Sequence, residues 1–196
     1  MDNYNYHKGM NVIIQELKDL LKTKSIGTDS DQALLLDFQA ALETKPEKAI
    51  KLEKDALALV KKITEENAHL VSNLHSNLHL NLGGLYRTNG YPDLAKEYME
   101  KGISVLQKLS GIIKEYHSDD CLDYAKVQEN LATIYLMTAN LPQAKTHFKR
   151  AFKIYEKIWA DEPEMIEAKY QEIQELYPQV GFLLGQQISS FLTKQA

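Results

Sequence analysis

The chain has 196 residues, of which 44% are hydrophobic and 26% charged, with a net charge of −4. That composition suits a folded domain with a substantial core. The acidic balance argues against broad nucleic-acid binding, which needs clustered positive charge to displace counterions. The single cysteine, Cys121, permits no intrachain disulfide and fits a reducing compartment. No stretch approaches the length of uninterrupted apolar sequence that spans a bilayer, and MDNYNYHKGM lacks the charged-then-apolar pattern of a secretion signal. The expectation is a cytoplasmic protein with no membrane partner, whose polar residues 1–9 form a flexible N-terminus.

Helical periodicity runs through almost every segment, and alternating strand patterns are missing. From Met10 to Lys22, Val12, Ile13, Leu17, Leu20 and Leu21 mark one apolar face. KSIGTDS follows as a loop ending in helix-capping residues. A helix is predicted over Asp31–Glu43, ending at Lys45-Pro46 because the residue before proline avoids the α region. Glu47–Ile63 is predicted helical, with a break near Thr64–Asn67. A long helix then runs to about Asn89, stopped by Gly90, and Pro92 opens the next, over residues 93–116. Ser118, Asp119 and Asp120 are expected to cap a helix reaching about Ala139. Asn140 and Pro142 mark another turn before a helix to about Trp159. Asp161 and Pro163 open a further helix, and Pro178 divides it from the last.

Two of these segments repeat. NLGGLYRTNGYPDLAKEYMEKG, from Asn81, aligns with NLATIYLMTANLPQAKTHFKRA, from Asn130. Leu82, Gly83, Tyr86, Ala95, Met99 and Gly102 match Leu131, Ala132, Tyr135, Ala144, Phe148 and Ala151, at a constant offset of 49 (131 − 82). A fainter copy, Leu36, Ala49 and Ala56, lies upstream at an offset of 46 (82 − 36). Small residues such as Gly83 and Ala95 let two antiparallel helices approach closely, and Leu82, Tyr86 and Met99 fill the space around that contact.

This pattern resembles the tetratricopeptide repeat family, over roughly residues 30 to 160. The period is longer than usual for that family, His79 stands where tryptophan is common, and the proline that closes the second helix is missing from both good repeats. The long repeats and the asparagine before the leucine look like the kinesin light chain branch and the bacterial peptide-sensing regulators. The resemblance implies an all-α, right-handed α-solenoid (superhelix) of helical hairpins. The expected organisation is one helical domain over 10–196: an N-terminal capping helix (10–28), a degenerate repeat (30–64), two repeats (67–116 and 119–160) and C-terminal capping helices (161–196).

On a helical wheel with Asn73 at zero, Asn77 and Asn81 fall near 40° and 80°, the leucines between about 100° and 180°, and His75 and His79 near 200° to 240°. The leucine arc is the expected core. The histidines have the i, i+4 spacing of metal ligands but no third ligand, so the preferred reading is packing, with His79 buried against the second helix of its repeat. In tetratricopeptide repeats the first helices line a concave groove. The resemblance therefore makes Asn77, Asn81, Arg87, Thr88, Lys126, Glu129, Asn130, Thr133 and Met137 candidate peptide-binding residues. Asn81 and Asn130 are equivalent, and a carboxamide can both donate to and accept from a peptide backbone. The competing reading has these asparagines bonded to neighbouring helices or water.

The first unit presents Leu34, Leu35, Phe38 and Leu42 on the same side, too apolar a patch to leave bare. The helix of Met10–Lys22 is the expected cover, and a partner helix is the alternative. Lys145, Lys149, Lys153 and Lys157 repeat every four residues and read as a solvated outer face, as do the acidic residues of 161–175. YPQVGFLLGQQISSFL, with Gly181 and Gly185, reads as a degenerate capping unit. No GxSxG, P-loop, GxGxxG or paired Cys/His arrangement appears, so no catalytic residue, cofactor or metal is assigned. The expected function is a non-enzymatic interaction module that holds a peptide or protein segment. The alternative is a regulatory or assembly factor working through its outer, convex face or by self-association.

Overall fold

The computed structural model describes residues 12, 15, 19, 28–63, 72–116 and 118–176. Among them lie seven helices and no strand: α1 (Asp29–Leu42), α2 (Pro46–Val60), α3 (Ser72–Thr88), α4 (Pro92–Tyr116), α5 (Leu122–Met137), α6 (Leu141–Ile158) and α7 (Pro163–Leu176). The predicted helices match these closely. The cover helix of 10–22 (apart from residues 12, 15 and 19), the break near 64–67 and the segment after Pro178 lie outside the described residues.

Local chemistry sets the helix ends. Thr28 builds a reciprocal cap on α1: its hydroxyl accepts from the Asp31 N–H at 3.2 Å, and the Asp31 carboxylate accepts from the Thr28 N–H at 3.1 Å. Ser118, Asp119 and Asp120 do not cap α5, contrary to expectation. The N-cap is Cys121, whose side chain makes no cap bond. Asp120 is drawn away by Lys157, 2.7 Å from its carboxylate, and the Ser118 hydroxyl accepts from the Asp120 N–H at 3.1 Å.

The turns after α3 and α5 are copies of one another. Gly90 has φ +81° and Ala139, 49 residues on, has φ 57°, both left-handed. The next N–H reaches back five residues in each, Tyr91 to the Tyr86 carbonyl at 2.9 Å and Asn140 to the Tyr135 carbonyl at 2.7 Å. This is the Schellman arrangement that satisfies orphan carbonyls at a helix end. Even the preceding side chains agree: Asn89 Nδ2 donates to the Leu85 carbonyl at 2.7 Å, and the Thr138 hydroxyl to that of Ile134 at 3.1 Å.

The chain divides into two compact units, Met1–Val105 and Leu106–Ala196. In the first, α1 pairs with α2 and α2 packs on α3. Ala33, Ala56, Leu57, Val60, Leu78, Leu82, Tyr86 and Ala95 form its core. At Gly83, α3 lies close against α4. A Cβ there would sit 2.8 Å from Met99 Cγ and 3.2 Å from the Ala95 carbonyl. In the second unit α5 pairs with α6, and α7 packs on α6. Tyr124, Leu131, Ile134, Phe148, Phe152, Tyr155, Ile166 and Ile173 are fully buried there, each stabilising the fold by ~1.5–3 kcal/mol before entropic costs.

The wheel of α3 needs one correction. Its buried face carries Ser72, Ser76, Leu78, His79, Leu82, Gly83 and Tyr86, while Leu74 and Leu85 are only half-buried. The core arc is rotated toward the histidines, away from the leucine centre. Gly83 and His79 on this face meet α4, where Met99, Ala95 and Tyr98 are their neighbours. The faint upstream copy falls on the α1–α2 hairpin, where Ala49 and Ala56 are buried and Leu36 is half-buried.

Candidate functional site

On α3, Asn77, Arg87 and Thr88 are exposed, as expected for residues facing away from the core. The Thr88 hydroxyl donates to the Leu85 carbonyl at 3.0 Å. Asn81 is exposed too, but its carboxamide is engaged. Its Nδ2 donates to Asp37 Oδ1 on α1 at 2.8 Å and to Glu53 Oε1 on α2 at 3.2 Å. On α5, Lys126 is exposed and Asn130, Thr133 and Met137 are half-buried. Glu129 is engaged: its carboxylate accepts from the Tyr155 hydroxyl at 2.6 Å and from Lys169 at 3.3 Å, with Glu172 2.7 Å from the same ammonium. Burial and the facing Glu129 charge push the Tyr155 phenol up. Burial pulls the Lys169 ammonium down, but its bonds to Glu172 and Glu129 outweigh that and raise it.

The Asp37–Glu53–Asn81 cluster was not foreseen. Glu53 is only 2% exposed and its Oε2 has no hydrogen-bond partner. Burial, the Asp37 charge and the hydrogen bond with Asp37 push its carboxyl up to about 8, against a smaller lowering by Asn81. Asp37 is raised by burial, with the bonds to Glu53 and Asn81 opposing. Glu53 is therefore mainly the neutral acid at pH 7. The signal was present in the repeat spacing. At the offset of 46, Asp37 stands where the next repeat has Gly83, and Glu53 where it has Met99. The degenerate repeat replaces an apolar helix contact with a carboxyl pair.

The histidines face packing. His79 is 3% exposed, its ring stacked 5.0 Å from His75 and tilted 5.8 Å from Tyr98 on α4. Its Nδ1 is buried without a hydrogen-bond partner. Burial, then the charges of His75, Lys61 and Lys101, lower its pKa to about 4, so the ring is neutral at pH 7. Among the described residues no group of three or more His, Cys, Asp or Glu side chains is placed to hold a metal. One repeat on, Gln128 holds the equivalent place and is 1% exposed. Its Oε1 meets His147 Nδ1 at 2.8 Å and accepts from Arg150 at 3.2 Å, and its Nε2 donates to Ser110 at 3.4 Å. The ring pair is conserved in geometry between repeats, Tyr86 on Tyr98 at 5.4 Å and Tyr135 on His147 at 5.3 Å.

Lys149, Lys153 and Lys157 on α6 are exposed, as expected of a solvated face. They also line a cavity of about 440 Å³, together with Arg150 and with Lys114 from α4. Lys145 is half-buried and takes no part. The acidic residues of 161–175 are exposed, as expected. Leu34, Leu35, Phe38 and Leu42 are half-buried.

Among the described residues no helix is long and apolar enough to cross a membrane. No curated protein matches the chain. Among solved structures it is similar to BtubC (BKLC) from P. vanneervenii, with a TM-score of 0.51 and 17% identity over 91% of this chain and 67% of that one. That likeness is one of fold. MamA aligns with a TM-score of 0.27 and 19% identity over 80% of this chain and 96% of that one, a score too low to bear on the fold. The tetratricopeptide repeat family model matches residues 74–157, which takes in both aligned copies, 81–102 and 130–151, in full. The small-residue contact at Gly83, the paired Schellman turns and the repeated ring stack all fall within that span, so the similarity to tetratricopeptide repeats rests on residues 74–157, 84 (157 − 74 + 1) of the chain's 196.

Proposed function

We propose that the chain is a non-enzymatic protein–protein interaction module, and that the exposed sides of α3 and α5 each contact a peptide or protein segment. The similarity to tetratricopeptide repeats supports the interaction role. The observation that carries the finer reading is the division of labour along the first helices. Each spends its small and apolar residues on packing and leaves a polar residue, Asn77 or Lys126, exposed with no side-chain partner among the described residues. Asn130 and Thr133 complete the α5 face, whereas Asn81 and Glu129 serve the fold first. Localisation in the cytoplasm belongs to the same proposal.

Site-specific photo-cross-linking tests it. A benzophenone side chain at position 77 or 126 should capture a discrete protein in lysate of the native organism. One at Lys51 or Asp55, exposed on α2, should not. Capture from α2 alone, or only of a second copy of the chain, would favour the outer-face or self-association reading and refute this one.

A further inference from the structure

The second unit carries the α6 cavity, which the repeat signature neither requires nor explains. Ala144, Phe148, Ala151, Phe152 and Tyr155 make the packing side of α6. Lys149, Lys153 and Lys157 occupy the opposite side at spacings of four, where like charges repel. Stability of the helix does not call for them.

Three of the five cations are held in place by their own neighbours. Lys157 is paired with Asp120 at 2.7 Å. Lys114 lies 5.3 Å from the centroid of the buried Tyr124 ring. Arg150 donates to the buried Gln128 at 3.2 Å. Lys149 and Lys153 are exposed and have no acidic partner among the described residues. Among the described residues the cavity wall holds two carboxylates, Asp119 and Asp120, and the second is already tied to Lys157. A chain with a net charge of −4 thus concentrates a positive surplus in one concave place. Such a place focuses field on an incoming anion.

The chemistry of the cations selects the anion. A compact phosphate is best recognised by a forked guanidinium, and the one arginine here has one Nη turned to Gln128, so Lys149 and Lys153 are the cations with no prior bond among the described residues. What remains available are lysine ammoniums, point charges one helical turn apart along α6. They match carboxylates spaced along a chain. We propose that this cavity docks an acidic segment of a partner protein, with carboxylate side chains on Lys149 and Lys153. The site is separate from the α3 and α5 faces, and either proposal can fail alone.

The test uses the full chain and a fluorescein-labelled oligoglutamate peptide, followed by fluorescence anisotropy at low ionic strength. Saturable binding is expected, weakened by about tenfold in Lys149→Ala/Lys153→Ala through loss of two charge-assisted contacts. It should be unchanged in Lys48→Ala/Lys51→Ala, which removes two exposed charges from α2. Lys149→Glu/Lys153→Glu should lose oligoglutamate binding, whereas Lys48→Glu/Lys51→Glu, which makes the same change in net charge on α2, should keep most of it, a difference that net charge alone cannot produce. Absent saturation, or equal weakening by the α2 variant, would overturn the proposal. So would displacement of the peptide by pyrophosphate, at matched ionic strength, more effectively than by unlabelled oligoglutamate, which would make the cavity a phosphate site.

Discussion

Replacing Gly90 with alanine isolates a single physical quantity. Gly90 sits at φ +81°, and a Cβ built on it would meet nothing within 4 Å. No steric clash and no lost contact enters the result, only the backbone cost of holding an L-residue in the left-handed region. That cost is ~1–2 kcal/mol. Alanine also restricts the unfolded chain, which returns about 0.4–1 kcal/mol. The net expectation is a loss of about 1 kcal/mol. Ala139, at φ 57° in the equivalent turn, already bears this cost, so Ala139→Gly should stabilise by a similar ~1 kcal/mol. Urea unfolding followed by circular dichroism measures both. With a slope of about 1–3 kcal/mol per molar urea, each midpoint should move by roughly 0.3–1 M, in opposite directions. A neutral or stabilising Gly90→Ala, or a destabilising Ala139→Gly, would show that these turns are not held by the Schellman geometry.

The buried titratable groups give predictions of opposite sign. Glu53 has a raised folded pKa, about 8, so its unfolded form releases a proton first as pH rises. Its contribution is complete below the unfolded carboxylate range and is lost toward pH 8. Glu53→Gln should remove a decline in unfolding free energy between about pH 4.5 and 8, of at most ~1.4 kcal/mol per pH unit, and urea melts across that window would show an unchanged decline if the reasoning is wrong. His79 has a lowered folded pKa, about 4, so its contribution is complete above the usual histidine range and is lost as pH falls toward 4. His79→Phe should lessen acid destabilisation between about pH 6.5 and 4, and a variant as acid-labile as the parent would contradict the buried neutral ring.

Much of the helical layout was legible because it follows from local signals. Pro46, Pro92, Gly90, Asn140 and Pro163 punctuate the chain at points where backbone geometry leaves few options, and α4 runs 25 residues where the closing proline is missing. The packing face of α3 was less legible. Periodicity weights large apolar residues, so Leu74 and Leu85 pulled the inferred core toward themselves. A close helix contact is made at Gly83, which periodicity counts as nothing. The α5 cap failed for a different reason: Asp120 is a good capping residue locally, but Lys157 lies far along the chain and takes its carboxylate. The basic cavity was invisible for the same reason, since Lys114 and the α6 lysines meet only in the fold.

The two equivalent asparagines show where repeat symmetry stops. Asn81 and Asn130 occupy the same place in their repeats. Asn81 donates to Asp37 and Glu53, and those acids exist only because the first repeat put carboxyls where the next has Gly83 and Met99. Neither of those residues offers a side-chain acceptor to a carboxamide. Asn81→Ala should therefore destabilise the fold by about 1 kcal/mol, because it strips a donor from the buried Glu53 and the half-buried Asp37. It should also raise both carboxyls further, since the bond to Asn81 lowers each of them. Asn130→Ala, with no such acids to satisfy, should leave stability within about 0.5 kcal/mol. Paired urea melts of the two variants decide it. Equal losses would mean that the carboxamide is a structural element of the repeat in both places. A loss confined to Asn81 would leave Asn130 as the carboxamide available for a partner.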